Sequence, residues 1–244
     1  MDQIKSLLEL PQHEQRSEAW FKQRENKLTS SDAASVLGIN PYQTRNDVLF
    51  KKCGHDPKPF VGNVATLHGQ KWEDPAIDIY CEKTNTTNYN FGLIAHEDVY
   101  KNEEYYWLAG SPDGIAMDNR NNRAILLEVK CPYRRKIIFG KIPDYYMPQV
   151  QLNMFICKLH VADFIEYDPR IGKMNIVRIY RDEKWLKKNL PILEKFWKEV
   201  EYYREHGIEN HPEFKPPKKT LDLRTEQNEP KEETELLMEF MIRD

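Results

Sequence analysis

The chain has 244 residues, 40% of them apolar, with 10 Phe, 13 Tyr and 5 Trp, enough to fill one large domain or one domain with a tail. Lys and Arg number 36 against 39 Asp and Glu, a net charge of −3, so any nucleic-acid surface must be a local basic groove. Cys53, Cys81, Cys131 and Cys157 are widely spaced and form no CxxC or Cys/His pattern, which excludes a sequence-local zinc or iron–sulfur site and points to free thiols in a reducing compartment. No apolar run reaches membrane-spanning length, residues 1–5 open no signal-peptide core, and no internal repeat is present.

In chain order, residues 2–10 predict a short helix stopped by Pro11. Ser17 caps a second helix through Arg24, with Trp20 and Arg24 four apart on one face. That pair is either a surface stack or an arginine held in place to grip a phosphate. Thr29-Ser30-Ser31-Asp32 leads into a helix over 33–37 closed by Gly38. Its start offers N–H groups and hydroxyls to an anion, and plain capping explains the same residues. Thr44 to Asp47 opens a further helix with a capping-box pattern, ending near Cys53-Gly54. After a loop over 55–63, residues 65–83 read as mostly helical, and Pro75 either kinks that helix or starts a fresh first turn. Glu73 within it is a solvated glutamate or a third carboxylate facing the next elements. Residues 84–104 are polar, with one short strand over 91–95.

The centre of the chain, residues 110–130, reads as a β-hairpin. Ser111-Pro112-Asp113-Gly114 is a turn signal, and two apolar runs flank the polar loop 118–123. Alternation places Ile125, Leu127 and Val129 on one face of the second strand and Leu126, Glu128 and Lys130 on the other, the last two roughly 6.6 Å apart along the strand. An acid at Asp113 followed by Glu-x-Lys is what metal-dependent phosphodiester cleavage needs: carboxylates to hold Mg²⁺ and an ammonium to orient water or balance charge. Taken alone, Glu-x-Lys is equally a surface ion pair.

Arg134, Arg135, Lys136 and Lys141 follow and, with Lys130, form a local basic cluster suited to a DNA backbone. A helix over 145–158 carries Pro148 in its first turn, and its Gln149 is either an exposed glutamine or a donor to phosphate or water. Residues 161–167 and 174–180 predict paired strands around Asp168-Pro169-Arg170. Asp182 caps a long helix whose stripe of Leu186, Leu190, Leu193, Trp197 and Val200 is a buried face. Residues 209–235 predict a polar, disordered or loosely packed tail, and 236–241 a short terminal helix.

With these segments in order, the chain resembles the lambda-exonuclease type of viral recombinase nucleases, the YqaJ-like family within the PD-(D/E)xK superfamily. The resemblance is carried by Trp20-Phe21-Lys22-Gln23-Arg24 with Leu28-Thr29-Ser30-Ser31-Asp32, by His68-Gly69-Gln70-Lys71-Trp72-Glu73, by Ser111-Pro112-Asp113-Gly114, by Leu127-Glu128-Val129-Lys130-Cys131-Pro132 and by Tyr146-Met147-Pro148-Gln149-Val150-Gln151. Tyr167-Asp168-Pro169-Arg170 and Arg181 to Trp185 extend it, so that it covers roughly residues 15–205.

The resemblance implies an α/β fold, a restriction-endonuclease-like core with a mixed central β-sheet flanked by helices, in residues 1–207, with 208–244 as a C-terminal tail. It implies that Asp113, Glu128 and the Val129 carbonyl bind Mg²⁺, or Mn²⁺ in its place, and that Glu73 sits near a second ion. Lys130 would position the attacking water. Arg24, Ser31, Ser111 and Gln149 would hold the 5′-phosphate of a duplex end, and Arg134 and Arg135 the backbone. The implied activity is a 5′→3′ exonuclease on double-stranded DNA that leaves 3′ single strands for recombination or replication. The family's phage member is a ring-shaped trimer working with a single-strand annealing protein, and the expected location of this chain is the cytoplasm or nucleus of an infected host cell. The alternatives are an endonuclease of the same superfamily, structure-specific on DNA or directed at RNA, and a non-catalytic DNA-binding module.

Overall fold

The computed structural model describes residues 2–55 and 62–216 of the chain. Four helices come first: α1 (Asp2–Leu8), α2 (Glu18–Glu25), then past strand β1 (Leu28–Thr29) and a 3-10 turn (Ser30–Asp32), α3 (Ala33–Val36) and α4 (Arg45–Lys52). The long α5 (Val64–Thr84) leads to β2 (Thr86–Tyr89), β3 (Ile94–Ala95), α6 (His96–Tyr100) and β4 (Leu108–Gly110). The hairpin β5 (Gly114–Asp118) and β6 (Arg123–Lys130), α7 (Met147–Ile156), the pair β7 (Val161–Asp168) and β8 (Lys173–Tyr180), and α8 (Glu183–His206) complete it. The body they form ends at Phe214.

Five strands in the order β2-β5-β6-β7-β8 make the main sheet. β6 and β7 are parallel, with Glu128 opposite Phe164, and every other pair is antiparallel, so the sheet is mixed. The parallel step requires a crossover, and α7 supplies it. A smaller sheet, β1-β4-β3, stands beside it.

Alternation along β6 divides the core as the sequence predicts. Ile125, Leu127 and Val129 pack with Ala76, Ile77 and Tyr80 of α5. Leu126 faces the other way, into the cluster that holds Val150, Leu152, Phe164, Phe196 and Trp197. Each such fully buried side chain contributes roughly 1.5–3 kcal/mol from burial. The whole α8 stripe, Leu186, Leu190, Leu193, Trp197 and Val200, is buried, and Asp182 caps that helix through the N–H groups of Lys184 and Trp185. Burying β7 on both faces encloses three acids, and each has a cation: Asp163 with Arg178, Glu166 with Arg135 and Asp168 with Arg170.

Some expectations change. Pro75 lies inside one continuous α5 and starts no new turn. The polar stretch after α5 contains a strand, β2, which pairs with β5 at the sheet edge. The expected strand over 91–95 is confined to Ile94–Ala95. The expectations for 236–241, and for most of the tail before it, lie outside the described residues. No helix among the described residues is long and apolar enough to cross a membrane.

Candidate active site

The turn before β5 and the end of β6 bring three oxygens around one nitrogen. Asp113 lies just ahead of β5, and its carboxylate accepts the Val129 N–H at 2.7 Å, which fixes the acid against the neighbouring strand. The Lys130 ammonium turns back onto the same place. It is 2.5 Å from Glu128 Oε1, 3.0 Å from the Val129 carbonyl oxygen and 3.6 Å from Asp113 Oδ2. Glu128 is fully buried, and its other oxygen accepts from Asn153 Nδ2 of α7 at 3.3 Å.

Burial alone would discharge Lys130, but Asp113 and Glu128 outweigh it and hold the ammonium charged. Burial also pushes the Glu128 carboxyl up, with Lys130 opposing and Asp113 adding to the effect, so this carboxylate is costly to leave charged without a cation beside it. Glu73 is pushed up to about 7, first by burial and then by Asp113, against the pull of Lys130 and Arg16.

Glu73 reaches this cluster from α5, yet its carboxylate is turned to Arg16, with Nη2 3.6 Å from Oε1. Arg16 stands in the left-handed region at φ 69°. The segment before it is pinned: Gln12 accepts from the Gly92 N–H at 2.8 Å, and Gln15 donates to the carbonyls of Phe91 and Pro112 at 2.8 and 3.2 Å. Among the described residues, no three His, Cys, Asp or Glu side chains gather closely enough to hold a metal between them. Lys130 is paired with Asp113 and Glu128, and Arg16 with Glu73. The donor set still suits a hard cation. Two carboxylates and a backbone carbonyl converge on one positive atom, the oxygen chemistry that Mg²⁺ selects.

A pocket of about 190 Å³ connects these acids to the expected anion site, and Trp20, Arg24, Ser31, Ser111, Gln149, Glu73 and Asp113 all line it. Arg24 lies over Trp20, its Cζ 4.3 Å from the ring centroid, and its Nη2 donates to Ser31 Oγ at 3.0 Å and Thr29 Oγ1 at 3.3 Å. Trp20 Nε1 donates to Ser111 Oγ at 3.1 Å, which leaves the serine proton free to point into the pocket. Burial lowers the Arg24 pKa, with Asp32 opposing, so the guanidinium would gain from an added anion. Asp32 is committed elsewhere. Burial would raise it, but Lys52 at 3.1 Å, Arg24 and Thr29 pull it down to about 2.

Glu73 also lines a pocket of about 660 Å³ walled by Tyr42, Tyr133, Tyr145, Tyr146, Arg134 and Lys130. Arg134 rests against Tyr133, its Cζ 5.8 Å from the ring centroid. Arg135 reaches the same pocket but is bonded to the buried Glu166, so it braces β7. Sequence reading overlooks Arg16, Asn153 and Tyr42. Asn153 had a signal, lying one helical turn after Gln149; Arg16 had none, since its reach depends on a left-handed turn.

The profile of the YqaJ-like viral recombinase domain matches residues 19–160. A relative from Acanthamoeba polyphaga mimivirus is 33% identical over 178 residues, 68% of this chain and 31% of that protein. One from African swine fever virus is 27% identical over 168 residues, 58% of this chain and 46% of that protein. The chain thus spans less than half the length of these relatives. Among solved structures, it is similar to an alkaline exonuclease from Laribacter hongkongensis, with TM-score 0.65, 26% identity, and coverage of 78% of this chain and 95% of that one. A phage-related exonuclease from Haemophilus somnus, at TM-score 0.50 and 18% identity, shares the fold over 74% of this chain and 94% of that one. The hairpin acids, the Arg24 pocket and the mixed sheet all lie in or beside the matched span, and the chain belongs to the YqaJ-like viral recombinase domain family.

Proposed function

We propose that the chain is a Mg²⁺-dependent 5′→3′ exonuclease on double-stranded DNA, with its nuclease domain in residues 1–207. It would act inside an infected cell to produce 3′ single strands for recombination or replication. The observation that carries this reading is one pocket walled at one end by Arg24, Ser31 and Ser111 and at the other by Asp113 and Glu73. A 5′ end can carry a terminal phosphate where a 3′ end carries a hydroxyl, so an anion site next to the hydrolytic acids selects 5′ termini.

Each residue then has a task. Arg24, held over Trp20, takes the terminal phosphate with Ser31, Ser111 and Gln149, and so sets the next phosphodiester against the acids. A divalent ion held by Asp113, Glu128 and the Val129 carbonyl would supply phosphate polarisation and water activation. Lys130 orients the attacking water and offsets the negative charge that builds on the phosphoryl oxygens. Glu73, near neutrality in its proton affinity, accepts a proton at its carboxylate as the water attacks. Asn153 holds Glu128 from behind. A ring-shaped homotrimer and a single-strand annealing partner complete the proposal as features of the phage-type system.

Linear duplex labelled at each end, with and without a 5′-phosphate, in Mg²⁺ tests it. Label at the 5′ end is expected to be released first, faster from phosphorylated ends, while closed circular duplex stays intact. Efficient cutting of the circle would instead make the chain an endonuclease, and no release from any substrate a binding module.

A further inference from the structure

The large pocket beside Lys130 has no task in the steps above. Four tyrosines and three cations, Lys130, Arg134 and Arg135, stand among its lining residues, with Glu73 its single acid among the described residues. Tyr42 is 79% exposed and Tyr133 37%, so both present ring surface to solvent. Tyr42 meets Tyr145 edge-on, with centroids 5.8 Å apart at 90°, and Tyr145 leans on Tyr146 at 4.4 Å. Tyr146 is anchored in turn on the buried Phe164 at 5.3 Å, and the Lys130 ammonium is 5.6 Å from the Tyr146 ring.

Tyr42 stands on a stiff loop. Its N–H donates to Asn40 Oδ1 at 2.9 Å, Asn40 Nδ2 donates to the fully buried Ser35 at 2.8 Å, and Ser35 donates to Gln43 Oε1 at 3.1 Å. A large ring kept in water on a braced loop is ready to bind at little entropic cost. Aromatic rings with cations beside them match one ligand chemistry, unpaired nucleobases on a phosphate backbone. An apolar protein segment would be met by aliphatic side chains, which are sparse on these walls.

We propose that Tyr42, Tyr133 and Tyr145 form a stacking surface for unpaired nucleobases, contiguous with the carboxylate cluster through Lys130 and Glu73. This rests on the nuclease reading for its biological use: a duplex end must part before a strand can enter the narrow anion pocket, and stacking would hold the parted bases. The surface itself is chemistry for single-stranded nucleic acid, whatever happens to the strand afterwards.

The test uses the full chain and two fluorescent probes of about eight nucleotides, within the site sizes usual for such grooves. One is 5′-phosphorylated oligothymidylate and the other its abasic analogue, with the same phosphates and no bases. Anisotropy in Ca²⁺ is expected to give at least tenfold tighter binding of the thymidylate. Tyr42→Ala abolishes most of that difference, and Tyr42→Phe, which keeps the ring, restores it. Tyr145→Ala gives a smaller loss. Equal affinity for the two probes, or a Tyr42→Ala effect that is the same on both, overturns the proposal. So does an unchanged preference accompanied by a lower sedimenting mass, which would make this face a contact between protein chains. The two readings fail separately. Nucleotide release in Mg²⁺ without base preference leaves the nuclease and removes the platform, and base preference without release does the reverse.

Discussion

The task proposed for Arg24 depends on shape as much as on charge. The guanidinium lies over the Trp20 ring, and one of its nitrogens, Nη2, reaches both Ser31 and Thr29, leaving the rest of the donor set for an incoming anion. A lysine carries the charge but can neither stack as a plane nor present a fork of donors. Arg24→Ala and Arg24→Lys are therefore both expected to erase the preference for 5′-phosphorylated over dephosphorylated ends, by tenfold or more, in parallel digestions of the two substrates. If Arg24→Lys keeps the preference, charge alone accounts for it. A different residue-scale effect belongs to His96. It is 1% exposed, stacked 4.0 Å from Tyr100, and among the described residues has no hydrogen-bond partner at either ring nitrogen. Burial, then Lys158, lowers its pKa from 6.5 to about 4. The unfolded chain thus takes up this proton first as pH falls, so the stability that neutral His96 provides is complete above pH 6.5 and is lost between 6.5 and 4. The loss is about 3 kcal/mol over that window. Urea unfolding at several pH values checks it, and His96→Phe should flatten the slope.

At the scale of elements, the site depends on how closely β4 lies against α7. A Cβ on Gly110 would run into Asn153 Oδ1, with Ile156 and Ser30 also crowded, so β4 can approach only as glycine here. Asn153 is the side chain that steadies Glu128. Gly110→Ala is expected to cost about 1–3 kcal/mol in thermal or urea unfolding and to lower nuclease turnover. Adding Asn153→Ala, which makes room, should recover part of the stability but not the turnover. The sequence reveals most of these elements because each is patterned locally. Ser17, Thr44 and Asp182 cap where capping chemistry predicts, and the alternation of β6 divides its side chains correctly between the two faces. β2 escapes notice because an edge strand of Thr86, Thr87, Asn88 and Tyr89 has little apolar contrast to display. Pro75 misleads because one lost helical bond is tolerated inside a 21-residue helix packed on a sheet.

For the molecule as a whole, net charge says little. The chain carries −3, yet lysines and arginines gather around the pockets that meet at Glu73. Which of them are free is a tertiary fact. Arg134 and Arg135 are adjacent and alike in sequence, but only Arg135 is tied to a buried acid, because β7 happens to carry Glu166 beneath it. Similarly, Asp113, Glu128 and Lys130 can be chosen from the hairpin pattern, whereas the pairing of Glu73 with Arg16 needs α5 and a pinned loop to meet.

The cluster at the end of β6 brings its own counterion. Lys130 already neutralises the oxygens that a divalent ion would occupy, so folding does not have to wait for one. Such a protein should be silenced by chelation without being unmade. EDTA is expected to stop nucleotide release completely while moving the thermal midpoint by no more than about 4 °C, and restored Mg²⁺ should revive the same molecules without refolding.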